Sequence, residues 1–428
     1  MTQTREVMNR IGAEQGRGPT LEVISSAARL LFANGQTTER MVLATKQLGV
    51  GLGVRANVFP RWGELDVCVE DGAGAHGERI VAKPSGVDMS KVIATQELVD
   101  RVHDGRMVSS EAKVELEKIS LSKPVSILRF SAMAGAGAAA LGVIFGTAHL
   151  LSLILIALSA TMGALIRRGL ARMSHNLYVQ PFCAALFAGV VGAVVVRMQL
   201  SSALRLVAVC PCMVLVPGPH FLNGALDLAR ARIALGAARI AYASLITLMI
   251  CAGLILGLAL GGANLPASAP FRSVPLGYDV LAAGVAVAAY GSFFNMPWRM
   301  LPIPILVGVL AHASRWIVIS VAGASAEIGA LVACLLVGII MTPVADCLRL
   351  PFAGVAFASV VSLIPGVFLF RTTGGLVDLV TSGPQAAKDL FAHVTADATT
   401  AFLIMLAMGF GLIFPKLCFE HFARPRGP

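Results

Sequence analysis

Charged side chains are scarce in this 428-residue chain, where Asp, Glu, Lys and Arg together make up only 14% of the residues. A soluble domain usually carries roughly a quarter. Hydrophobic residues instead reach 56%, and the mean hydropathy is +0.78. This composition excludes an ordinary soluble enzyme and predicts a membrane protein.

Acidic residues are few where the chain is most apolar. From Met1 to Pro124, 16 Lys and Arg are balanced by 16 Asp and Glu, whereas the other 304 residues hold 18 and 8. The net charge of +10 therefore belongs to the apolar part. Basic residues between long apolar segments are typical of cytoplasmic loops and not of a nucleic-acid surface. We expect a lipid bilayer, and no nucleic acid, around this chain.

Motifs of catalytic and cofactor chemistry are missing as well. The sequence has no phosphate-binding loop, zinc-ligand spacing, nucleophile elbow or ATP-binding motif, and no pattern that pairs a nucleophile with a base. The eight cysteines are scattered, and the close pair Cys210 and Cys212 has no further ligand beside it in the sequence. We expect no cofactor, no metal and no enzymatic activity. Residues 1–20 also lack the apolar core of a signal peptide.

The pattern of residues 1–124 predicts that they form a small soluble α+β domain in the cytoplasm. Apolar residues recur at helical spacing over Leu21–Leu48, with a break at Asn34-Gly35. Short strand-like runs and two helical segments follow. These elements are Val54–Phe59, Glu64–Val69, Arg79–Ala82, Met89–His103 and Ser109–Ile119, with Pro60 and the glycine cluster 72–77 between the strands.

The rest of the chain predicts about ten transmembrane helices, because one crossing takes about 20 apolar residues. Five belong to residues 125–262 and five to residues 263–428. The predicted spans are 126–145, 148–166, 178–196, 203–219, 238–261, 277–294, 302–321, 327–345, 352–370 and 397–415.

The two blocks of five resemble each other at a shift of 148 to 151 residues. The matching segments are Leu215–Gly218 with Leu363–Gly366, Asn223–Leu228 with Gly374–Leu379, and Ala184, Leu186 and Gly189 with Ala333, Leu335 and Gly338. Since five is an odd number, the second block enters the membrane from the opposite side. The fold class predicted is a polytopic helical membrane protein with a 5+5 inverted repeat behind a soluble α+β domain.

Each block carries a Pro-Gly pair in its fourth span, which removes a backbone donor and breaks the helix. Broken helices present charged ends to ligands inside a membrane. We expect these pairs and the small residues after them to bind substrate; the alternative is that each pair merely ends a span. The predicted substrate-binding residues are Pro217, Gly218, Asn223, Gly224, Pro365, Gly366, Gly374, Gly375 and Arg371.

Acidic residues near the breaks are candidates for proton coupling. Asp227 and Asp378 come first, with Asp346 and Glu327 as weaker candidates and His220 as a relay. Arg315 lies within a span and is expected to pair with an acidic residue. Two further acids, Asp279 and Asp397, lie near the starts of spans and are expected to be interfacial.

Four segments resemble motifs of the threonine/serine exporter family. They are Leu31–Arg40, with Gly35, Thr38 and Arg40 in a Gly-x-x-Thr-x-Arg pattern, Gly86–Gly105, Ser110–Ile119 and Val216–Leu228. This resemblance implies a ten-span exporter of small metabolites, driven by the proton gradient, with a cytoplasmic N-terminal domain. The chain departs from the family pattern at Pro219 and His220, and at Arg371-Thr372-Thr373 in the second block.

The resemblance leaves the substrate open between threonine or serine and a dicarboxylate, since related two-chain proteins look like dicarboxylate exporters. Arg371 beside a broken helix would suit a carboxylate. A third hypothesis is a membrane-anchored sensor or enzyme that acts through the N-terminal domain. The expected partners are the small substrate, protons and lipid, with a homo-oligomer open. Basic residues such as Arg167, Arg168 and Arg172 predict both termini on the cytoplasmic side of the inner membrane.

Overall fold

The computed structural model describes residues 2–72, 74–174, 176–199, 204–263, 274–348, 350–381 and 383–423. The chain forms two compact units, each made of several segments. Unit one contains Met1–Pro124, Asn223–Arg239 and Ala345–Gly354. Unit two contains Val125–Leu222, Ile240–Val344 and Val355–Pro428.

The N-terminal part of unit one is an α+β fold. Its elements are α1 (Thr2–Ala33), α2 (Thr38–Gly51), β1 (Arg55–Arg61), β2 (Gly63–Asp71), β3 (Gly74–Ala82), α3 (Met89–His103) and α4 (Ser109–Leu121). Within the described residues the strands form one antiparallel sheet in the order β1-β2-β3. Alternate side chains such as Val58, Leu65 and Val67 are buried in the core with residues of the helices, as expected for a sheet with one covered face.

Three details of this part differ from the sequence prediction. Helix α1 begins at Thr2 and not near Leu21, because its first half is polar and carries no apolar period to mark it. Pro60 lies inside β1, where an edge strand tolerates a residue without an N–H group. β3 begins at Gly74, within the predicted turn. On the exposed face of the sheet, a hydrogen bond from the Arg79 guanidinium holds the pKa of Asp66 below its usual value.

The apolar part of the chain is helical. Its elements are α5 (Ile127–Ile144), α6 (Leu150–Met173), α7 (Val179–Arg197), α8 (Leu204–Met213), α9 (Gly218–Ala229), α10 (Ile233–Leu260), α11 (Leu276–Phe293), α12 (Pro302–Ser320), α13 (Ala326–Cys347), α14 (Phe352–Val360), α15 (Gly366–Thr381) and α16 (Pro384–Ala423). Short 3₁₀ turns occupy Trp298–Met300 and Val361–Leu363. Among the described residues, 8 helices are long and apolar enough to cross a membrane, or up to 10 if each bent pair counts as one span.

The bent pairs are the fourth and ninth predicted spans. In the first broken span, Leu206–Met213 meets Gly218–Ala229 at 53°, and in the second, Phe352–Leu363 meets Gly366–Val380 at 63°. Both breaks therefore fall at the predicted Pro-Gly pairs. The helices continue beyond the predicted span ends at residues 219 and 370, because polar residues after each break lower the hydropathy that marks a span.

Glycines bring helices of unit two into close contact, as is usual between membrane helices. Gly189 of α7 lies against the backbone of Leu254 in α10. Gly338 of α13 lies against the backbone of α16, where an added Cβ would be 2.5 Å from the carbonyl oxygen of Gly411. The third helix of each predicted block thus packs on the fifth through a glycine.

Candidate functional site

The two helix breaks have the same backbone geometry. The N–H of Gly218 donates to the carbonyl of Val216 at 3.0 Å, and the N–H of Gly366 donates to the carbonyl of Ile364 at 2.8 Å. Each of these bonds spans the proline between its partners, so the chain turns sharply before the next helix begins. The proline itself has no N–H to continue the preceding helix.

Each break also packs against the helix that leads into the other break. Gly218 lies directly against the ring of Phe357 in α14. Gly366 lies against Met213 in α8, where an added Cβ would be 2.8 Å from the Met213 Cγ. The two broken spans therefore meet within unit two at their Pro-Gly pairs, and an added Cβ would overlap the Phe357 ring at Gly218 and press against the flexible Met213 side chain at Gly366.

A cavity of about 340 Å³ lies beside the second break, at the lower end of the roughly 300–1,000 Å³ typical of ligand pockets. Most of the described residues that line it are apolar. The lining comprises Ile144, Phe145, Val274, Asp279, Arg315, Trp316, Ile319, Ser320, Ala326, Ala330, Ser362, Leu363, Ile364, Pro365, Val367, Phe368 and Ile404. Asp279 and Arg315 are the charged members of this described lining.

A hydrogen-bonded row of buried polar side chains borders the cavity. The carboxylate of Asp279, in the first turn of α11, lies 2.9 Å from Nδ1 of His312. Nε2 of His312 lies 2.6 Å from the hydroxyl of Ser362, in the 3₁₀ turn before the second break. With a neutral imidazole, Nδ1 donates to Asp279 and Nε2 accepts from Ser362; a protonated imidazole donates at both nitrogens.

Sequence reasoning missed this row, because its members are 33 and 50 residues apart and no local spacing links them. Asp279 was expected to be interfacial near the start of a span; the structure places it in the first turn of α11, where it is only 3% exposed. Sequence reasoning also found no nucleophile paired with a base, yet Ser362 and His312 are hydrogen-bonded. The available signal was His312 itself, since an ionisable residue inside an apolar helix points to function.

Arg315 lies three residues after His312 in α12, which places both side chains on one helix face. Sequence reasoning expected an acidic partner for this arginine. Among the described residues, no carboxylate oxygen lies within the 4.0 Å of a salt bridge to its guanidinium. The cavity wall thus carries a guanidinium together with a carboxylate, that of Asp279, whose charge acts on Arg315 from beyond salt-bridge distance.

Asp227 lies in a different environment, a buried ionic cluster of unit one. Its Oδ2 is 3.1 Å from Nε of Arg239 and accepts a hydrogen bond from the Thr38 hydroxyl at 3.0 Å. Its Oδ1 is 3.6 Å from Arg232, which also pairs with Glu39 at 2.9 Å. Two carboxylates and two guanidinium groups balance one another here, as burial of charge requires.

The Gly-x-x-Thr-x-Arg pattern that the sequence analysis singled out supplies much of this cluster. Gly35 adopts a left-handed conformation with φ of +94°, and its carbonyl accepts from the Asn223 side chain at 3.1 Å. Thr38 binds Asp227, and Arg40 forms an ion pair with Asp346. We call Gly35, Thr38, Arg40 and these partners, together with Arg232, Arg239 and Glu39, the motif cluster.

The other predicted residues of the second block lie in unit two. Arg371 pairs with Asp397 through Nε at 2.9 Å, and both side chains are mostly buried. Asp378 is half-buried on α15, and Glu327 is half-buried in the first turn of α13. Gly374 and Gly375 are buried, and an added Cβ on Gly375 would clash with Val394 of α16.

In the first block, His220 is buried and meets the Tyr242 ring edge-on at 5.3 Å between centroids. Gly224 packs through its carbonyl against Gly236, where an added Cβ would be 2.8 Å away. Of the predicted substrate-binding residues, Pro365 is among the described residues that line the cavity. No group of three His, Cys, Asp or Glu among the described residues could hold a metal ion.

Two models of known protein families match the sequence of this chain. A model described as a threonine/serine exporter matches residues 22–261, and one described as Threonine/Serine exporter, ThrE, matches residues 279–418. No solved structure matches the chain. The resemblance seen in the sequence motifs is confirmed, and it spans both the N-terminal part and the helical part. The chain is a multi-pass helical membrane protein that belongs to the threonine/serine exporter family.

Proposed function

We propose that this protein exports threonine, serine or similar small amino acids across the cytoplasmic membrane in exchange for protons. Family membership supports an amino-acid exporter. The single observation that carries the proposal further is the cavity at the second helix break, whose wall holds one buried carboxylate and one guanidinium. Membership of an exporter family also favours a transporter over an enzyme or a sensor.

An inverted repeat of residues 125–262 and 263–428 is part of the proposal. Its support is the matching geometry of the two breaks, which share the Pro-Gly turn and bend by 53° and 63°. The glycines Gly189 and Gly338 make equivalent contacts in the two blocks. In transporters built this way the substrate site lies at the interface of the repeats.

Proton coupling is supported by ionisable groups inside the helical unit, where carboxylates and imidazoles usually mark proton pathways. Asp279 and His312 meet this description at the cavity. Asp378 also stays a candidate on α15. For Asp227, the ion pairs with Arg239 and Arg232 favour a structural role.

Dicarboxylate export has less support than amino-acid export. The resemblance to two-chain relatives left both substrate classes open, and the charge of Arg371 beside the broken helix would suit a carboxylate of either class. That charge is already balanced by Asp397 at 2.9 Å.

We further propose the inner membrane as the location, with the N-terminal part soluble and both termini in the cytoplasm. Ser110 is exposed in the first turn of α4, so Ser110→Cys should add a reactive thiol. A membrane-impermeant maleimide should label this thiol only after the cells are permeabilised. The unsubstituted chain gives the background from its own cysteines. Extra labelling of intact cells would reverse the topology.

Uptake into everted membrane vesicles tests the function directly. With an imposed pH gradient, vesicles that contain the protein should accumulate threonine or serine, and a protonophore should abolish the accumulation. Vesicles without the protein are the control. Uptake of succinate in place of both amino acids would change the substrate class, and absence of any uptake by folded protein would contradict the transport proposal.

A further inference from the structure

The cavity beside the second break carries two opposite charges in a wall that is otherwise uncharged among its described residues. Arg315 on α12 supplies a planar guanidinium, which matches the two oxygens of a carboxylate. Asp279 on α11 supplies a carboxylate, which matches an ammonium group. A ligand with both groups would give each of these two charges a partner of opposite sign at contact distance.

We propose that this cavity binds a small zwitterionic amino acid, with its carboxylate on Arg315 and its ammonium group on Asp279. The inference rests on the proposed export function and assigns its substrate site. The proposed substrate site is the wall formed by α11, α12 and the 3₁₀ turn before Pro365. The sequence had instead predicted the residues that follow the two breaks.

The uncharged wall limits which side chain the ligand can carry. Ile144, Phe145 and Ile364 face the cavity and suit a short aliphatic group. A dicarboxylate would leave its second charge against these apolar side chains, and an unpaired buried charge is costly. The site therefore selects amino acids over dicarboxylates.

Ser362 explains a preference for hydroxyl-bearing amino acids. Its hydroxyl lies 2.6 Å from Nε2 of His312, and it donates there when the imidazole is neutral. The oxygen still has free lone pairs, so it can accept a hydrogen bond from the hydroxyl of threonine or serine. Alanine, which lacks that hydroxyl, loses this bond.

The same row of side chains links substrate binding to a proton. When the ammonium group leaves, Asp279 loses its counter-ion. A proton taken from the aqueous side onto Nε2 of His312 makes an imidazolium, which donates through Nδ1 to Asp279 and supplies the positive charge that the ammonium group had placed beside this carboxylate, while Ser362 turns to accept. Arg315 is the other charged group of the described lining; it pairs with the ligand carboxylate when substrate is bound and disfavours the imidazolium when the ligand has left. Because proton and ammonium compensate the same carboxylate, each displaces the other, as an exchanger requires.

Threonine binding to the purified full-length protein tests the site. Arg315→Gln and Asp279→Asn should each weaken threonine binding at least about tenfold, since each removes a charge-assisted bond. Arg172→Gln and Asp389→Asn make the same chemical changes at exposed positions and should leave the affinity unchanged. Ser362→Ala should lower the affinity for threonine more than that for alanine.

The outcomes separate the two proposals. If the wild type transports threonine but Arg315→Gln and Asp279→Asn bind it normally, the site assignment is wrong and the export function stands. If the wild type neither binds nor transports amino acids, the export function itself fails. If Arg315→Gln or Asp279→Asn does not fold, Ser362→Ala tests the site instead. An unchanged ratio of its affinities for threonine and alanine, relative to the wild type, would contradict the site. Covalent labelling of Ser362 by a fluorophosphonate would overturn the proposal in favour of a nucleophilic serine, since serine hydrolases order these groups alike.

Discussion

Gly218→Ala is expected to remove most of the correctly folded protein and nearly all of the transport. The new methyl group would overlap the ring of Phe357, with its carbon nearest to the ring's Cζ. That ring is 5% exposed and has Phe294 beside it, with 6.3 Å between ring centroids, so it has little room to move. Overpacking a tight core costs about 1–3 kcal/mol of folding stability. Because this overlap is deep, the cost of Gly218→Ala should be at least about 3 kcal/mol.

The second break provides a graded comparison. Gly366→Ala should be milder, because the side chain it meets is Met213 and methionine adapts its shape easily. Gly409→Ala is the matched control, since an added Cβ there meets nothing within 4 Å. Size-exclusion profiles measure the amount of folded protein, and uptake into vesicles measures transport. Phe357→Ala combined with Gly218→Ala should recover folded protein, and normal behaviour of Gly218→Ala alone would mean that the breaks do not pack as described.

Asp227→Ala is expected to destabilise unit one by about 3–5 kcal/mol, the usual cost of removing one partner from a buried ion pair. Its carboxylate is 2% exposed and faces Arg239, whose side chain is 0% exposed. The loss would leave that guanidinium buried beside Thr38 and the ring of Phe32, with no counter-ion within 4 Å among the residues that the structure describes. Limited proteolysis of the N-terminal part and thermal unfolding measure the change.

The double variant Asp227→Ala, Arg239→Met separates structure from proton coupling. It removes both charges and should regain much of the lost stability, since well-packed apolar replacements of buried pairs are often neutral. Asp66→Ala, at an exposed ion pair, is the control and should change little. If the stable double variant still exchanges protons for threonine, Asp227 is structural. Loss of coupling in that variant would restore Asp227 as a proton carrier.

The helix breaks could be predicted from the sequence because their cause is local. A Pro-Gly pair within an apolar run lacks an N–H and a side chain at adjacent positions, and no tertiary contact is needed to know that the helix will bend there. The repeat shift added a second, independent indication of the same two positions. For the same reason the boundary between α1 and α2 at Asn34-Gly35 was predictable.

The polar partners could not be predicted, because they depend on which helices meet. His312 has the same sequence surroundings whether it packs against lipid or against Asp279. Asp227 stood out through the repeat, yet nothing near it in sequence indicates Thr38 or Arg239 as partners. The pairing of Arg371, a predicted substrate-binding residue, with Asp397 on the next helix could not be predicted, because nothing in the sequence places the two side chains together.

The motif cluster also has a consequence for the order of synthesis. Thr38 binds a carboxylate made 189 residues later, and Arg40 binds one made 306 residues later. N-terminal domains usually fold as soon as they leave the ribosome, but this one reaches its final set of contacts only after most of the apolar helices have been translated. Until Asp227 and Asp346 emerge, the side chains of Thr38 and Arg40 at the start of α2 lack these partners. The N-terminal part can therefore complete these contacts only after the helices between have been made, and a chain truncated before Asp227 lacks both of them.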